Sequence, residues 1–424
     1  MTMNRRLLSV CAPVALVAGL LALQPGPRPY AEGGWPLPAS HPVLPHEAWT
    51  HGPWHEPGFF PIGVWLQNPA NAERYQEAGI NTYVGLWQGP TEEQLAALDE
   101  AGMWVICDQN EVGLDHVEDN TIIGWLQHDE PDNAQPEHDP VTGEMTGYGP
   151  PVRPEDVVAR YEEMKEKDPS RPVLLNLGQG LANPAWVGRG SEGRPEDYAT
   201  YVWGGDILSF DIYPVTNTRL PEGGHELWYV AKGLDRLRAL SENERILWSV
   251  LECTHIGNAD AIASPHEIRA QAWMSIIHGA TGIVWFVHEF APAFQESALL
   301  ARPEQLEAVT AVNAEITGLA EVLRSPTVPG LATVESQNPR VPVDLMCKDY
   351  GGFAYLFAVA MEEEPTDATF AVTDIPPGAR IEVLGEDRAL RADGGVFTDH
   401  FEGWGVHVYR VAKDAGGPEP EGRG

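Results

Sequence analysis

The chain has 424 residues, enough for one large domain and a smaller one. It carries 62 Asp and Glu against 27 Lys and Arg, a formal net charge of −35. A surface that acidic repels nucleic acid and anionic lipid, which argues against both as partners and makes polyanionic polymers poor ones.

At the N-terminus, Arg5 and Arg6 precede an apolar stretch from Leu7 to Leu23 that ends in "QPGPRP". Residues 1–31 therefore read as an export signal, which predicts a secreted or periplasmic protein. The stretch is of borderline length, so an uncleaved membrane anchor is the alternative. Cys11 follows Val10 inside the apolar run, against a lipoprotein site. The remaining Cys107, Cys253 and Cys347 are odd in number and widely spaced, so they form neither a disulfide framework nor a zinc site. Residues 32–57 are rich in Pro, His and Trp without periodicity, and predict an extended segment wrapping the main domain.

From 58 to 325 the chain repeats an order of elements. Apolar, β-rich runs fall at 59–67, 80–87, 103–110, 122–130, 172–179, 206–215, 245–255 and 281–290. Between them lie stretches of helical spacing with N-cap residues and terminal glycines, such as "TEEQLAALDEAG" and "SPHEIRAQAWMSIIHGA". In the latter, Ser264 and Glu267 make a capping-box pattern. Strands apolar throughout and alternating with helices imply a parallel sheet covered on its outer face. Eight such units over about 260 residues predict an α/β fold, a (β/α)8 TIM barrel. An open doubly wound sheet is disfavoured, since no strand–helix turn carries a Gly-rich phosphate loop. Residues 326–413 change to short alternating strands with frequent turns, predicting a small antiparallel β-sandwich. The polar tail 414–424 reads as disordered.

In such a barrel the working residues stand at the C-terminal ends of the strands. The predicted ends supply Trp65, Trp87, Asp108, Asn110, His128, Asp129, Glu130, Asn176, Gln179, Asp211, Tyr213, Glu252, His255, Trp285, His288 and Glu289. Amides and acids bond hydroxyl groups, and an indole face stacks on the C–H side of a sugar ring, so a carbohydrate partner is expected. No phosphate cradle, H-E-x-x-H or Cys/His cluster is present, and no cofactor or metal is implied. Cleaving a glycosidic bond needs two carboxyl groups flanking it. Glu130 on strand four and Glu252 on strand seven rise from nearly opposite sides of the predicted mouth.

With those residues in place the chain resembles the clan of retaining (β/α)8-barrel glycoside hydrolases with glutamates on strands four and seven. "GWLQHDEP" is similar to its strand-four motif, where Asn-Glu-Pro follows an apolar strand. "LWSVLECTH" and "IVWFVHEF" resemble its strands seven and eight, and a trailing β-sandwich recurs in the clan. The resemblance implies Glu130 as acid/base, Glu252 as nucleophile and Trp285 as sugar platform, in an exported hydrolase acting on a neutral or weakly charged glycan. One position departs: Asp129 stands where the clan has Asn. Its charge beside Glu130 suits a proton donor. Other readings stay open. Glu289 is a rival nucleophile. Asp211 and Tyr213 either orient the nucleophile or stabilise the barrel, and His255 either binds substrate or caps a loop. The whole is alternatively a carbohydrate-binding barrel without catalysis, or a metal-assisted hydrolase on His128, Asp129 and His255. The insertion 134–156 is expected to shape one wall of the cleft.

Overall fold

The computed structural model describes residues 47–190, 192–217, 220 and 225–413. The predicted signal, the first part of the extended segment and the tail lie outside the described residues. Among the described residues no helix is long and apolar enough to cross a membrane.

Eight parallel strands close into a barrel in chain order: Ile62–Trp65, Thr82–Val84, Trp104–Cys107, Ile122–Leu126, Val173–Leu177, Ile207–Phe210, Ile246–Glu252 and Ala280–Phe286. We refer to them as strands one to eight. Strand one pairs with both strand two and strand eight, so no edge is left. Side chains alternate between two apolar environments. Trp65, Val84, Ile106, Leu126, Leu174, Ile207, Trp248, Val250 and Val284 pack with one another in the barrel interior. Val64, Tyr83, Trp125, Leu175, Phe210, Leu251 and Trp285 pack outward into the helical layer. A bulge where strand four meets Val105 and Ile106 breaks the alternation, so that Trp125 faces out and Leu126 in.

The predicted helix starts hold. Thr91 and Gln94 form a capping box on helix Glu92–Glu100, and Ser264 and Glu267 form one on helix Pro265–Ile277. Two connections are less regular than a full helix. Strand three is followed only by Glu111–Asp115, and strand five by short turns ending in Tyr198–Tyr201.

The end of the barrel opposite the strands' C-termini is filled by the segment before strand one. Trp49, Trp54 and Phe59 join the interior cluster, and the Trp54 indole donates to Ile123 O at 2.9 Å. Arg324, at the end of the last barrel helix, donates to Trp54 O and Phe59 O.

Beyond it, a three-stranded and a five-stranded antiparallel sheet pack on one apolar cluster that includes Phe370, Phe397 and Tyr409, the expected sandwich. This domain docks on helix Pro265–Ile277. Trp273 stacks on Phe357 at 5.5 Å and Arg269 donates to Val406 O at 2.9 Å. The three described cysteines are buried and free.

Candidate active site

The strands deliver their C-terminal ends to one cavity of about 1390 Å³. Strand four ends in Gln127, whose buried amide donates to Val157 O and Gly204 O and so fixes the departing chain. Asp129 and Glu130 follow. In extended chain two successive side chains diverge, yet both of these line the cavity. The backbone explains it: Glu130 has φ +43°, a left-handed conformation uncommon for a residue other than glycine. It is held there by its N–H on Asn176 O at 3.0 Å and by Asn133 N–H on its own carbonyl. Asp132, fully buried, accepts from Gly178 N at 2.8 Å and from the Tyr198 hydroxyl at 2.7 Å, tying the turn to strand five.

Of the five carboxyl groups that line this cavity among the described residues, Asp129, Glu130 and Asp211 lie together, and Glu93 and Glu296 are the other two. Asp211, two residues before Tyr213 at the end of strand six, interacts with Glu130, Asp129 and the Tyr213 hydroxyl, and its buried Oδ1 has no hydrogen-bond partner among the described residues. Burial, then the charges of Glu130 and Asp129, drive its carboxyl well above the ordinary range. Asp129 lines the cavity and is exposed to solvent there. Burial and then the Glu130 charge push its carboxyl up to about 7, against a 3.0 Å hydrogen bond from Asn176 Nδ2. The amide of Asn176 is oriented for this because Ser209 Oγ donates to its oxygen at 2.8 Å. Glu130 makes a 2.7 Å ion pair with Arg189, the one Lys or Arg lining the cavity among the described residues.

Of the residues expected from strand ends, Trp65, Trp87, Asp129, Glu130, Asn176, Gln179, Asp211, Tyr213 and His288 line the cavity. The others do not. Glu252 is fully buried, and both its oxygens are occupied: Val215 N at 2.7 Å, Thr216 N at 3.0 Å and Thr216 Oγ1 at 2.8 Å. It points the right way along strand seven but lies beneath the loop after strand six, so the expected pairing with Glu130 across the mouth is not made. Trp285 is also fully buried. Its neighbours Val284 and Phe286 belong with the interior cluster, so its indole faces outward and donates to Asn313 Oδ1 at 2.9 Å, and it is no platform. Asp108 and His128 lie together near Arg160 outside the cavity. Asn110 caps the helix after strand three through Gly113 N at 2.8 Å. His255 sits 2.7 Å from Ala261 O, a loop cap, and Glu289 is ion-paired with Arg302. His128, Asp129 and His255 thus have separate partners and do not converge.

Sequence reasoning missed Arg189, Trp186, Tyr148, Phe286, Phe290 and Phe294, all of which line the cavity. Arg189 comes from a run of three left-handed residues, Gly188, Arg189 and Gly190. The flanking glycines are the readable signal. Tyr148 stands on the hairpin Pro136–His138 and Met145–Tyr148 inside the insertion after strand four, which does form part of the wall.

No family model and no curated protein matches the chain. Among solved structures, an Anoxybacillus alpha-amylase superposes with a TM-score of 0.51 at 10% identity, over 85% of this chain and all (100%) of that one. AmyP in complex with maltose gives a TM-score of 0.51 at 9% identity, over 85% of this chain and 98% of that one. The alpha-amylase of Geobacillus thermoleovorans complexed with acarbose gives 0.50 at 10% identity, over 83% and 98%. These neighbours are glycoside hydrolases, and what the chain shares with them is the fold: a closed barrel of eight parallel strands followed by an antiparallel β-domain.

Proposed function

We propose that the protein is a glycoside hydrolase whose chemistry runs on Glu130, Asp129 and Asp211, not on Glu130 with Glu252. The observation that carries this reading is the meeting of these carboxyls, from the ends of strands four and six, in an aromatic-walled cavity at the strands' C-terminal mouth. The neighbours' complexes with maltose and acarbose support a carbohydrate ligand.

The chemistry needs one carboxyl that carries a proton and one that is ionised. Asp129, raised to about 7, suits the donor, and burial with the charges of Glu130 and Asp129 raises Asp211 as well. Glu130, in its ion pair with Arg189, is the ionised partner and acts as nucleophile or as base toward water. This reverses the roles read from the strand-four motif, where Asp129 was to keep Glu130 as donor. If Glu130 attacks the sugar the product retains its configuration, the course expected from the resemblance; if it activates water the product is inverted. Incubation with a panel of oligosaccharides, with products followed by NMR, reads substrate and stereochemistry together. Turnover unchanged in both Glu130→Gln and Asp211→Asn would remove the proposal.

One observation favours a second reading, a carbohydrate-binding barrel without turnover: the cavity holds no carboxyl from strand seven to oppose Glu130. Binding of an oligosaccharide by the unmodified protein with no cleavage would select it. We also read the protein as exported, on the strength of Arg5, Arg6 and the apolar stretch after them. Mass spectrometry of the mature N-terminus tests that.

A further inference from the structure

Four large apolar side chains are exposed around the cavity: Trp87 at 68%, Tyr148 at 58%, Phe290 at 53% and Phe294 at 63%. Exposed aromatics gathered at one mouth are a recognition surface rather than a packing remnant. Their rings are also connected. From Tyr213, beside Asp211, the next ring is Phe286 at 5.2 Å, then Phe290 at 6.2 Å, then Phe294 at 5.6 Å. On the opposite side of the carboxyls Glu130 pairs with Arg189, whose guanidinium lies 5.7 Å over the Tyr148 ring. Strand eight, which leads to Phe290 and Phe294, and strand four, which leads to Tyr148, are diametrically placed in the closed order. The aromatic surface therefore crosses the mouth, with the carboxyl cluster between its two arms.

The volume agrees. A drug-sized ligand fills a pocket of about 300–1,000 Å³, and this cavity, at about 1390 Å³, is larger. We propose that the ligand is a glycan chain of several units lying across the mouth, with sugars stacked on Phe290 and Phe294 to one side and on Tyr148 to the other. The bond at the carboxyls is then internal to the chain. An aromatic face suits this role because its electron-rich surface meets the C–H bonds of a pyranose without demanding a particular hydroxyl pattern. This inference rests on the glycosidase reading for the fate of the bond, but not for the binding of the chain.

The test separates the two. Malto-, cello- and xylo-oligosaccharides of one to six units are titrated calorimetrically into Glu130→Gln protein, and separately incubated with the unmodified protein. In the series that binds, Kd should fall steeply from one unit to five. Adding Phe294→Ala or Tyr148→Ala should each weaken the longer ligands about two- to tenfold, the range of one aromatic contact. Both side chains are exposed, so the substitutions leave the core intact. A single sugar bound as tightly as the hexamer, or length dependence indifferent to both rim variants, overturns the inference while leaving the glycosidase reading standing. Length-dependent binding without cleavage by the unmodified protein supports the track and removes the glycosidase. Binding in none of the three series overturns both.

Discussion

Arg189 donates to Glu130 at 2.7 Å from a loop 59 residues further along the chain. Neither side chain is positioned by regular structure. Each sits on a residue of positive φ, +43° for Glu130 and +55° for Arg189, and the Glu130 backbone is held by Asn176 and Asn133. Two strained turns facing each other across a cavity are a feature that folding alone does not require.

Removing the charge at Glu130 should therefore damage chemistry more than stability. Glu130→Gln is expected to lower kcat by about 10²–10⁴-fold, the usual worth of a positioned acid or base. Thermal unfolding should move little, because the Glu130–Arg189 pair is part-exposed and such pairs contribute about 0–1 kcal/mol. Steady-state kinetics beside a melting curve check both statements.

Asp129 gives a stability signature. Its carboxyl rises from an ordinary 3.8 to about 7 on folding, so between those values the folded protein binds more protons than the unfolded chain. The contribution is most favourable below 3.8 and is lost as pH rises through 7. Asp129→Asn should accordingly raise Tm at pH 8 by more than at pH 4 while impairing turnover. A Tm difference that does not change with pH would contradict this.

His278 runs in the same direction with pH, in a higher window. It is fully buried between Asp235 of a barrel helix and Asp344 of the sandwich, at 3.0 Å from each. Burial lowers its pKa, but the Asp235 charge and then Asp344 outweigh burial and carry it up to about 9. A histidine raised in this way stabilises fully below 6.5, and the contribution is lost as pH rises through 9. The melting temperature of the native chain should decline over that window, and His278→Gln should flatten the decline.

Glu252 distinguishes structure from chemistry. With three hydrogen bonds to its carboxyl, an amide in its place sets an N–H₂ group against a donor. Glu252→Gln should lose about 1–3 kcal/mol of stability, the cost of an unsatisfied buried group. Below the shifted midpoint its oligosaccharide affinity should remain. A variant with native Tm whose turnover has collapsed would restore Glu252 as a catalytic group.

The barrel was legible because a strand buried on both faces must be apolar throughout, and its end is marked where polarity resumes. Asp129, Glu130, Asn176, Asp211 and Tyr213 were found by that rule alone. Direction was harder to read. Trp285 and Phe286 are adjacent, and a two-residue period lets only one of them enter the barrel. Which one depends on register with strand one, a long-range pairing. Glu252 has the proper parity and is hidden by Val215 and Thr216, 37 and 36 residues away. Arg189 and Tyr148 arrive on loops whose course is decided by the finished cavity.

The Trp54 contacts at the closed end of the barrel also constrain how the chain is made. Arg324 grips Trp54 O across 270 residues, and strand one cannot complete its pairing before strand eight exists. Trp49, Trp54, Phe59, Trp104 and Ile123 can meet early in synthesis, but the contacts of Trp54 with Trp248 and Arg324 need nearly the whole barrel. The segment ahead of strand one is translated first, yet its contacts with Ile123, Trp248 and Arg324 can all be made only once most of the barrel has been synthesised.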